Sequence, residues 1–378
     1  MAVALPNPNF ALVGKPNGRS QIATPALVLD LKAFERNVAA MQEHCKRVGL
    51  KLRPHAKTHK SVAVAKRQIA AGAIGQCCAK LGEAEALAEG GIDSILITSP
   101  IVARQAFARV GALNARMSDL MVTVDSEVGV DGFAAVARDT KKPIKIVVDV
   151  DIGLHRTGIA PGEPALRLAQ RAKAAGLTVV GLQGYAGQLQ HIVDFEERKT
   201  KSLEALKSLG DTRDLLVKNG VPCPIVSGGG TGTYNIDADA RVFTELQAGS
   251  YVFMDKQYHE VTIANGAPMP FETSLFVQTT VISNNTAGLV TTDAGFKAFA
   301  TDAGPPLLQF GAPEGASYFF FGDEQGGIFT NTKMELGSVV GCSAPHCDPT
   351  VNLYDVYHVV EGDTLIDIWP IEARGRSA

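Results

Sequence analysis

Between residue 32 and about residue 265, short runs rich in β-branched residues alternate with longer stretches of helical spacing, about eight times over. The strand candidates are KLRPHAK, IGQCCAK, SILITSP, LMVTVD, IKIVVDVD, VVGLQGY, CPIVSGG and ELQAGSYVFMD. Between them lie stretches such as LGEAEALAEGG, EPALRLAQRAKAAG and FEERKTKSLEALKSLGDTRDLLVKNG, several closing on glycine as helices with a left-handed last residue do. Strand–helix alternation favours a parallel sheet. Eight repeats over this length predict a (β/α)8 TIM-like barrel rather than an open doubly wound sheet. A further helix, LKAFERNVAAMQEHCKRVG, precedes the first strand.

After about residue 266 the pattern changes. SLFVQTTVISNN, GLVTTDAG, YFFFGDEQGGIF, GSVVGCSAPHC and YDVYHVVEGDTLIDIWPIEARG are strand-like runs broken by Gly, Asn and Asp, without an amphipathic helix. They predict a second, mostly antiparallel β-domain. The expected organisation is an N-terminal segment 1–30, whose PALVLDL is open to joining the β-domain, a barrel over 31–265 and the β-domain over 266–378.

With 46% hydrophobic and 20% charged residues in 378, the composition is that of a globular protein. A formal charge of −3 gives no electrostatic reason to expect nucleic acid or an anionic membrane as partner. No apolar run is long enough for a membrane span, and the proline-broken N-terminus lacks the basic start of a secretory signal. Six cysteines at 45, 77, 78, 223, 342 and 347 match no zinc-ribbon spacing, which predicts free buried thiols and a cytoplasmic protein.

Barrel active sites form where strands run into loops at the C-terminal face. The stretch LRPHAKTHKS, residues 52–61, crowds Arg53, His55, Lys57, His59 and Lys60 at such a strand exit. Other polar residues at strand ends should gather there: Lys80, Thr98, Ser99, Asp149, Asp151, Arg156, Tyr185, Gln188, His191, the turn SGGGTGT and the segment QAGSY. A lysine in a dense setting, an aromatic ring and a glycine-rich turn followed by hydroxyls suit an aldehyde cofactor bearing a phosphate. Lys60, three residues beyond Lys57, is expected to be a solvated neighbour on the following helix.

RPHAKTHK, DVDIGLHRTGI with LQGYAGQLQHI, SGGGTGTY with LQAGSY, and SAPHCDPT occur in this order across the chain. In these motifs the chain resembles the fold-type III pyridoxal phosphate enzymes, within the branch of D-threonine aldolase and D-serine dehydratase. The resemblance implies that Lys57 holds pyridoxal 5′-phosphate covalently. It implies that Arg156 approaches the cofactor's phenolic oxygen and Tyr185 its ring. The phosphate is expected on Gly230, Thr231, Gly249, Ser250 and Tyr251, because glycines let backbone N–H groups approach an anion. His346 and Asp348 are expected to hold a divalent metal, Mn2+ or Mg2+. On an extended segment their i, i+2 spacing would turn both to one side and Cys347 to the other. The branch pairs HxC with zinc in the dehydratase and HxD with a harder metal in the aldolase, and an oxygen ligand at Asp348 favours the latter.

The expected activity is retro-aldol cleavage of a D-3-hydroxy-α-amino acid such as D-threonine or D-phenylserine to glycine and an aldehyde. His191 is the expected base, with His59 the second candidate. A dehydratase giving a keto acid and ammonia, and a non-catalytic pyridoxal phosphate-binding protein, are the alternative readings. The resemblance also implies a homodimer.

Overall fold

Residues 7–378 are described by a computed structural model. In chain order the strands are β1 (Ala26–Asp30), β2 (Lys51–Leu52), β3 (Gln76–Cys78), β4 (Ser94–Ile97), β5 (Asp119–Val124), β6 (Lys145–Asp149), β7 (Thr178–Gly184), β8 (Ile225–Gly228) and β9 (Glu245–Leu246). They continue with β10 (Leu275–Thr286), β11 (Leu289–Thr292), β12 (Leu307–Phe310), β13 (Ser317–Phe320), β14 (Gly326–Phe329), β15 (Val339–Ser343), β16 (Val356–Glu361) and β17 (Thr364–Pro370). The helices are α1 (Leu31–Val48), α2 (Val62–Ala70), α3 (Leu81–Glu89), α4 (Arg104–Arg116), α5 (Glu127–Thr140), α6 (Glu163–Ala174), α7 (Phe195–Lys218), α8 (Tyr234–Asp237), α9 (Lys256–His259) and α10 (Cys347–Val351).

The chain divides into two units. A barrel unit comprises Met41–Gly249, Val261–Met269 and Gly375–Ala378, and a β unit comprises the described residues up to Ala40, Ser250–Glu260 and Pro270–Arg374. The division is therefore not a single cut near residue 265.

In the barrel unit eight parallel strands lie in the order β2-β9-β8-β7-β6-β5-β4-β3. The first strand is shorter than KLRPHAK suggested, although Arg53 and His55 N–H still donate to Leu246 O and Ala248 O at 2.9 and 3.3 Å beyond it. On its other side the same stretch runs beside β3: Cys77 N–H donates to Pro54 O at 2.8 Å, and Ala56 N–H donates to Cys77 O at 2.7 Å. A parallel bridge between His55 and Cys77 thus joins the two ends of the strand order. Cys77, Leu96, Met121 and Val147 form a buried apolar layer, with Val180 and Ile225 packed against it. Fully buried aliphatic side chains of this kind contribute about 1.5–3 kcal/mol each relative to exposure.

In the β unit β1 is an internal strand, antiparallel to β10 and parallel to β16. The path runs β13-β14-β11-β10-β1-β16-β17, with β15 beside β10 and β12. Every pairing except β1–β16 is antiparallel. Ile22, Ala26, Val28, Val360, Leu365 and Ile368 form one of its buried clusters. Five cysteines are buried free thiols and Cys223 is half-buried. Among the described residues no helix is long and apolar enough to cross a membrane.

Candidate functional site

The crowding of basic residues at 52–61 resolves into two jobs. Arg53 is buried and its Nε donates to Glu245 Oε1 at 2.9 Å, while Nη1 donates to Ser94 Oγ at 2.8 Å. Burial opposes the Arg53 charge, but Glu245 outweighs it and holds the guanidinium above its ordinary pKa. Lys60 is not the solvated helical residue expected. It sits before α2 with φ 53°, buried, and its ammonium is paired with Glu83. A buried charge needs such a partner, because an uncompensated one is costly to desolvate.

The histidines are internal as well. His55 Nδ1 accepts from Lys57 N–H at 3.4 Å, and its Nε2 lies 3.1 Å from Thr98 Oγ1, whose own proton goes to Cys78 O. That pattern fits the Nε2–H tautomer. His59 is fully buried, with Nδ1 accepting from Ser61 N–H at 3.1 Å and Nε2 facing Gln76 Oε1 at 3.4 Å. Of residues 52–61, Lys57 alone is not buried. The surrounding cations and rings build a buried wall, and Lys57 is half-buried within it.

Gly249 lies against this wall. A Cβ there would stand 2.6 Å from Thr58 Oγ1 and 3.0 Å from His55 O, so only glycine lets the loop after β9 approach the Lys57 segment. Beyond β6, Arg156 is exposed and its guanidinium carbon lies 5.6 Å from the centre of the half-buried Tyr185 ring. The two residues assigned to one cofactor ring are thus neighbours. The nearby acids have other partners. Asp149 accepts from Thr157 Oγ1 at 2.9 Å and Gln183 Nε2 at 3.0 Å, and burial raises its pKa. Asp151 accepts from the N–H groups of Gly153 and His155 and from the His155 ring; burial works against its charge, yet these bonds hold its pKa below the ordinary value.

The glycine-rich turn after β8 is less open to an anion than the motif suggests. Gly230 N–H bonds the buried Asp237 carboxyl, and Gly232 N–H donates to Gln190 Oε1 at 2.9 Å. Gly230 and Thr231 are buried in this turn, while His191, next to Gln190, is exposed. Sequence reading missed Gln190 and Asp237. The only signal was the position of Gln190 beside His191, since a glutamine in a loop carries no pattern of its own.

In the β unit, Ser250 and Tyr251 lie in a 3-10 turn rather than in a long eighth strand. Tyr251 is fully buried against Phe271, with ring centres 5.7 Å apart, and Ser250 Oγ lies 3.5 Å from Asp348 Oδ1. The HCD segment is not extended. His346 has extended backbone, at φ −143° and ψ 119°, and caps α10, so Asp348 falls in the first helical turn. Parity along a strand therefore does not set the direction of these side chains. Asp348 and Pro349 are both favoured in a first turn, the one by the helix dipole and the other by its missing N–H.

His346 Nδ1 faces Asp302 Oδ2 at 2.7 Å. Cys347 is fully buried, its N–H donates to Asp255 Oδ2 at 2.8 Å, and burial pushes its thiol well above the usual range. Asp302 gave no sign in the sequence, being one acid in a surface loop. Among the described residues no three His, Cys, Asp or Glu side chains gather as a metal cage. Imidazole and carboxylate, the groups of His346 and Asp348, are each ligand types that a divalent cation accepts beside water or substrate. The barrel unit supplies an amine, a guanidinium beside a phenol ring, and a glycine-rich turn, a donor set that suits an aromatic aldehyde phosphate.

Comparison with known proteins agrees with this chemistry. The family described as alanine racemase, N-terminal domain, matches residues 29–257, and the serine dehydratase domain matches residues 274–360. The chain is 40% identical over 381 residues to the D-threonine aldolase of an Arthrobacter species, covering 99% of this chain and 98% of that one. It is 37% identical over 369 residues to the 3-hydroxy-D-aspartate aldolase of Paracoccus denitrificans (strain Pd 1222), covering 94% and 93%. The crystal structure of D-threonine aldolase from Filomicrobium marinum matches with a TM-score of 0.90 at 37% identity, over 94% of this chain and 97% of that one. Two units of these folds and likeness along nearly the whole length place the chain in the alanine racemase-like family of pyridoxal phosphate enzymes, within its D-threonine aldolase branch.

Proposed function

We propose that the protein is a pyridoxal phosphate- and divalent-metal-dependent aldolase. It cleaves D-3-hydroxy-α-amino acids of the D-threonine and D-phenylserine type to glycine and an aldehyde. The observation that carries this reading is Lys57, the one residue of 52–61 that is not buried, standing in the RPHAKTHK motif. The names of the relatives, aldolases of D-threonine and of 3-hydroxy-D-aspartate, support the substrate class.

Pyridoxal phosphate, when bound, supplies an electron sink for the pair left on Cα as the Cα–Cβ bond breaks. Lys57 would hold the cofactor through its aldehyde carbon. Arg156 and Tyr185 orient the ring, and Gly230, Thr231, Gly249, Ser250 and Tyr251 receive the phosphate. His346 and Asp348 would hold Mn2+ or Mg2+, whose chemistry is to make the substrate's β-hydroxyl more acidic. His191 takes the proton of that hydroxyl, a role for which its exposure leaves it accessible. His59, with its ring inside the protein, is the weaker candidate. Free, mostly buried thiols fit a reducing cytoplasm, and a homodimer is the proposed assembly.

Product analysis with D-threonine tests the reading. Glycine and acetaldehyde should form, cease with a chelator and return with Mn2+ or Mg2+. A keto acid and ammonia as the products would replace the aldolase with a dehydratase.

A further inference from the structure

The glycine-rich turn of residues 227–233 does not keep its shape alone. Gln190 is 1% exposed and uses its whole amide on the surrounding backbone and hydroxyl. Its Oε1 accepts from Gly232 N–H at 2.9 Å, and its Nε2 donates to Thr233 Oγ1 at 3.2 Å and to Ala186 O at 3.3 Å. Thr233 Oγ1 passes the chain on to Asp237 Oδ2 at 2.9 Å, and Asp237 accepts Gly230 N–H. A Cβ on Gly230 would collide with the Gln190 amide, and one on Gly232 with the Gln190 backbone carbonyl. Glycine is therefore required at both positions because Gln190 fills the space beside them. Ala186 follows Tyr185, and His191 follows Gln190 in sequence. One side chain thus ties the loop bearing Tyr185 and His191 to the turn, bonding Gly232 N–H on one side of Thr231 and packing beside Gly230 on the other.

We infer that Gln190 is a positioning residue for the cofactor's phosphate: it sets the shape in which the glycine-rich turn receives that anion. The inference rests on the reading of this turn as the phosphate site. An amide is suited to the task because it offers one acceptor and two donors in a fixed plane. Leucine at this position removes all three bonds at similar size. Glutamate keeps the acceptor for Gly232 N–H and loses both donors.

The test is titration of the apoprotein with pyridoxal 5′-phosphate and, separately, with pyridoxal, which lacks the phosphate, for wild type, Gln190→Leu, Gln190→Glu and Thr231→Ala. Gln190→Leu should bind pyridoxal 5′-phosphate roughly tenfold or more weakly, the scale of hydrogen bonds to a charged group. Its pyridoxal affinity should be unchanged, and Gln190→Glu should fall in the same direction. A parallel loss for both ligands would mean a general packing role and overturn the inference. Selective loss in Thr231→Ala with none in either Gln190 variant would also overturn it, while leaving the turn as the phosphate site. No selective loss in any variant would remove the turn from the phosphate site and the inference with it. Should Gln190→Leu fail to fold, the Gln190→Glu comparison decides alone.

Discussion

Asp302 and His346 form a carboxylate–imidazole pair, with Oδ2 2.7 Å from Nδ1. An ionised carboxylate can only accept, so the bond puts the proton on Nδ1 and leaves the Nε2 lone pair for a cation. Such partners fix the tautomer and the ring direction of metal-binding histidines. Asp302→Ala should therefore weaken Mn2+ binding by about 10–100-fold, the usual cost of losing a partner of this kind. Asp302→Asn should lose less, because its amide oxygen still accepts. Electron paramagnetic resonance titration of free Mn2+ reads the affinity directly, and equal binding by wild type and the alanine variant would deny Asp302 this role.

Lys57 should be the residue that borohydride links to the cofactor. Lys60 is three residues away but buried in an ion pair with Glu83, which takes it out of competition for an aldehyde. Reduction, digestion and peptide mapping should recover the label on the peptide containing Lys57, and Lys57→Ala should lose the visible absorption of bound cofactor. A label confined to Lys60 or Lys80 would be incompatible with the proposed site.

The difference between these two lysines shows where reading the sequence succeeds and where it stops. The barrel was legible because strand and helix periods repeat along the chain, whereas a local motif singles out Lys57 without fixing its surroundings. The fates of Arg53 and Lys60 depend on Glu245 and Glu83, which lie on other strands and helices and leave no trace in the local sequence. The HCD segment failed for a different reason. An i, i+2 argument presumes extended backbone, yet Asp348 and Pro349 already carried the signature of a first helical turn. Gln190 and Asp302 were illegible, since each acts through a partner brought up by the fold.

Asp348→Ala and Cys347→Ala should separate sharply in a glycine-release assay. The aspartate variant should lose cleavage if its carboxylate is a metal ligand. The cysteine variant should retain it, since Cys347 is a fully buried thiol whose removal leaves a small cavity and costs stability rather than chemistry. A dead cysteine variant beside an active aspartate variant would instead indicate a thiolate ligand and a dehydratase.

Asp237 should make stability depend on pH in an unusual direction. Burial pushes its carboxyl up to about 8 from an ordinary 3.8, against the lowering effect of Thr233 and Gly230. Across that interval the folded protein keeps a proton that the unfolded chain has released, so the stabilising contribution falls as pH rises and is lost above about pH 8. Asp237→Asn cannot titrate. The unfolding free energy of wild type minus that of the variant should therefore decrease between about pH 5 and about pH 9 in urea titrations. A difference that is flat, or that grows with pH, would show that the buried carboxyl is already ionised at low pH.

The position of β1 has a consequence for how the protein is made. This strand precedes the other described strands, and its two neighbours, β10 and β16, are synthesised only after all eight barrel strands. Through most of translation Ala26–Asp30 is an apolar segment with both hydrogen-bonding edges exposed, the condition under which nascent chains pair with the wrong partner or recruit chaperones. The barrel strands meet no such delay, since nearly all of them pair with the strand before or after them in sequence. Ribosome-bound chains stalled before β10 should therefore protect the barrel from protease while β1 remains open to cleavage. Removing β16 would leave the oldest strand of the molecule permanently short of a partner.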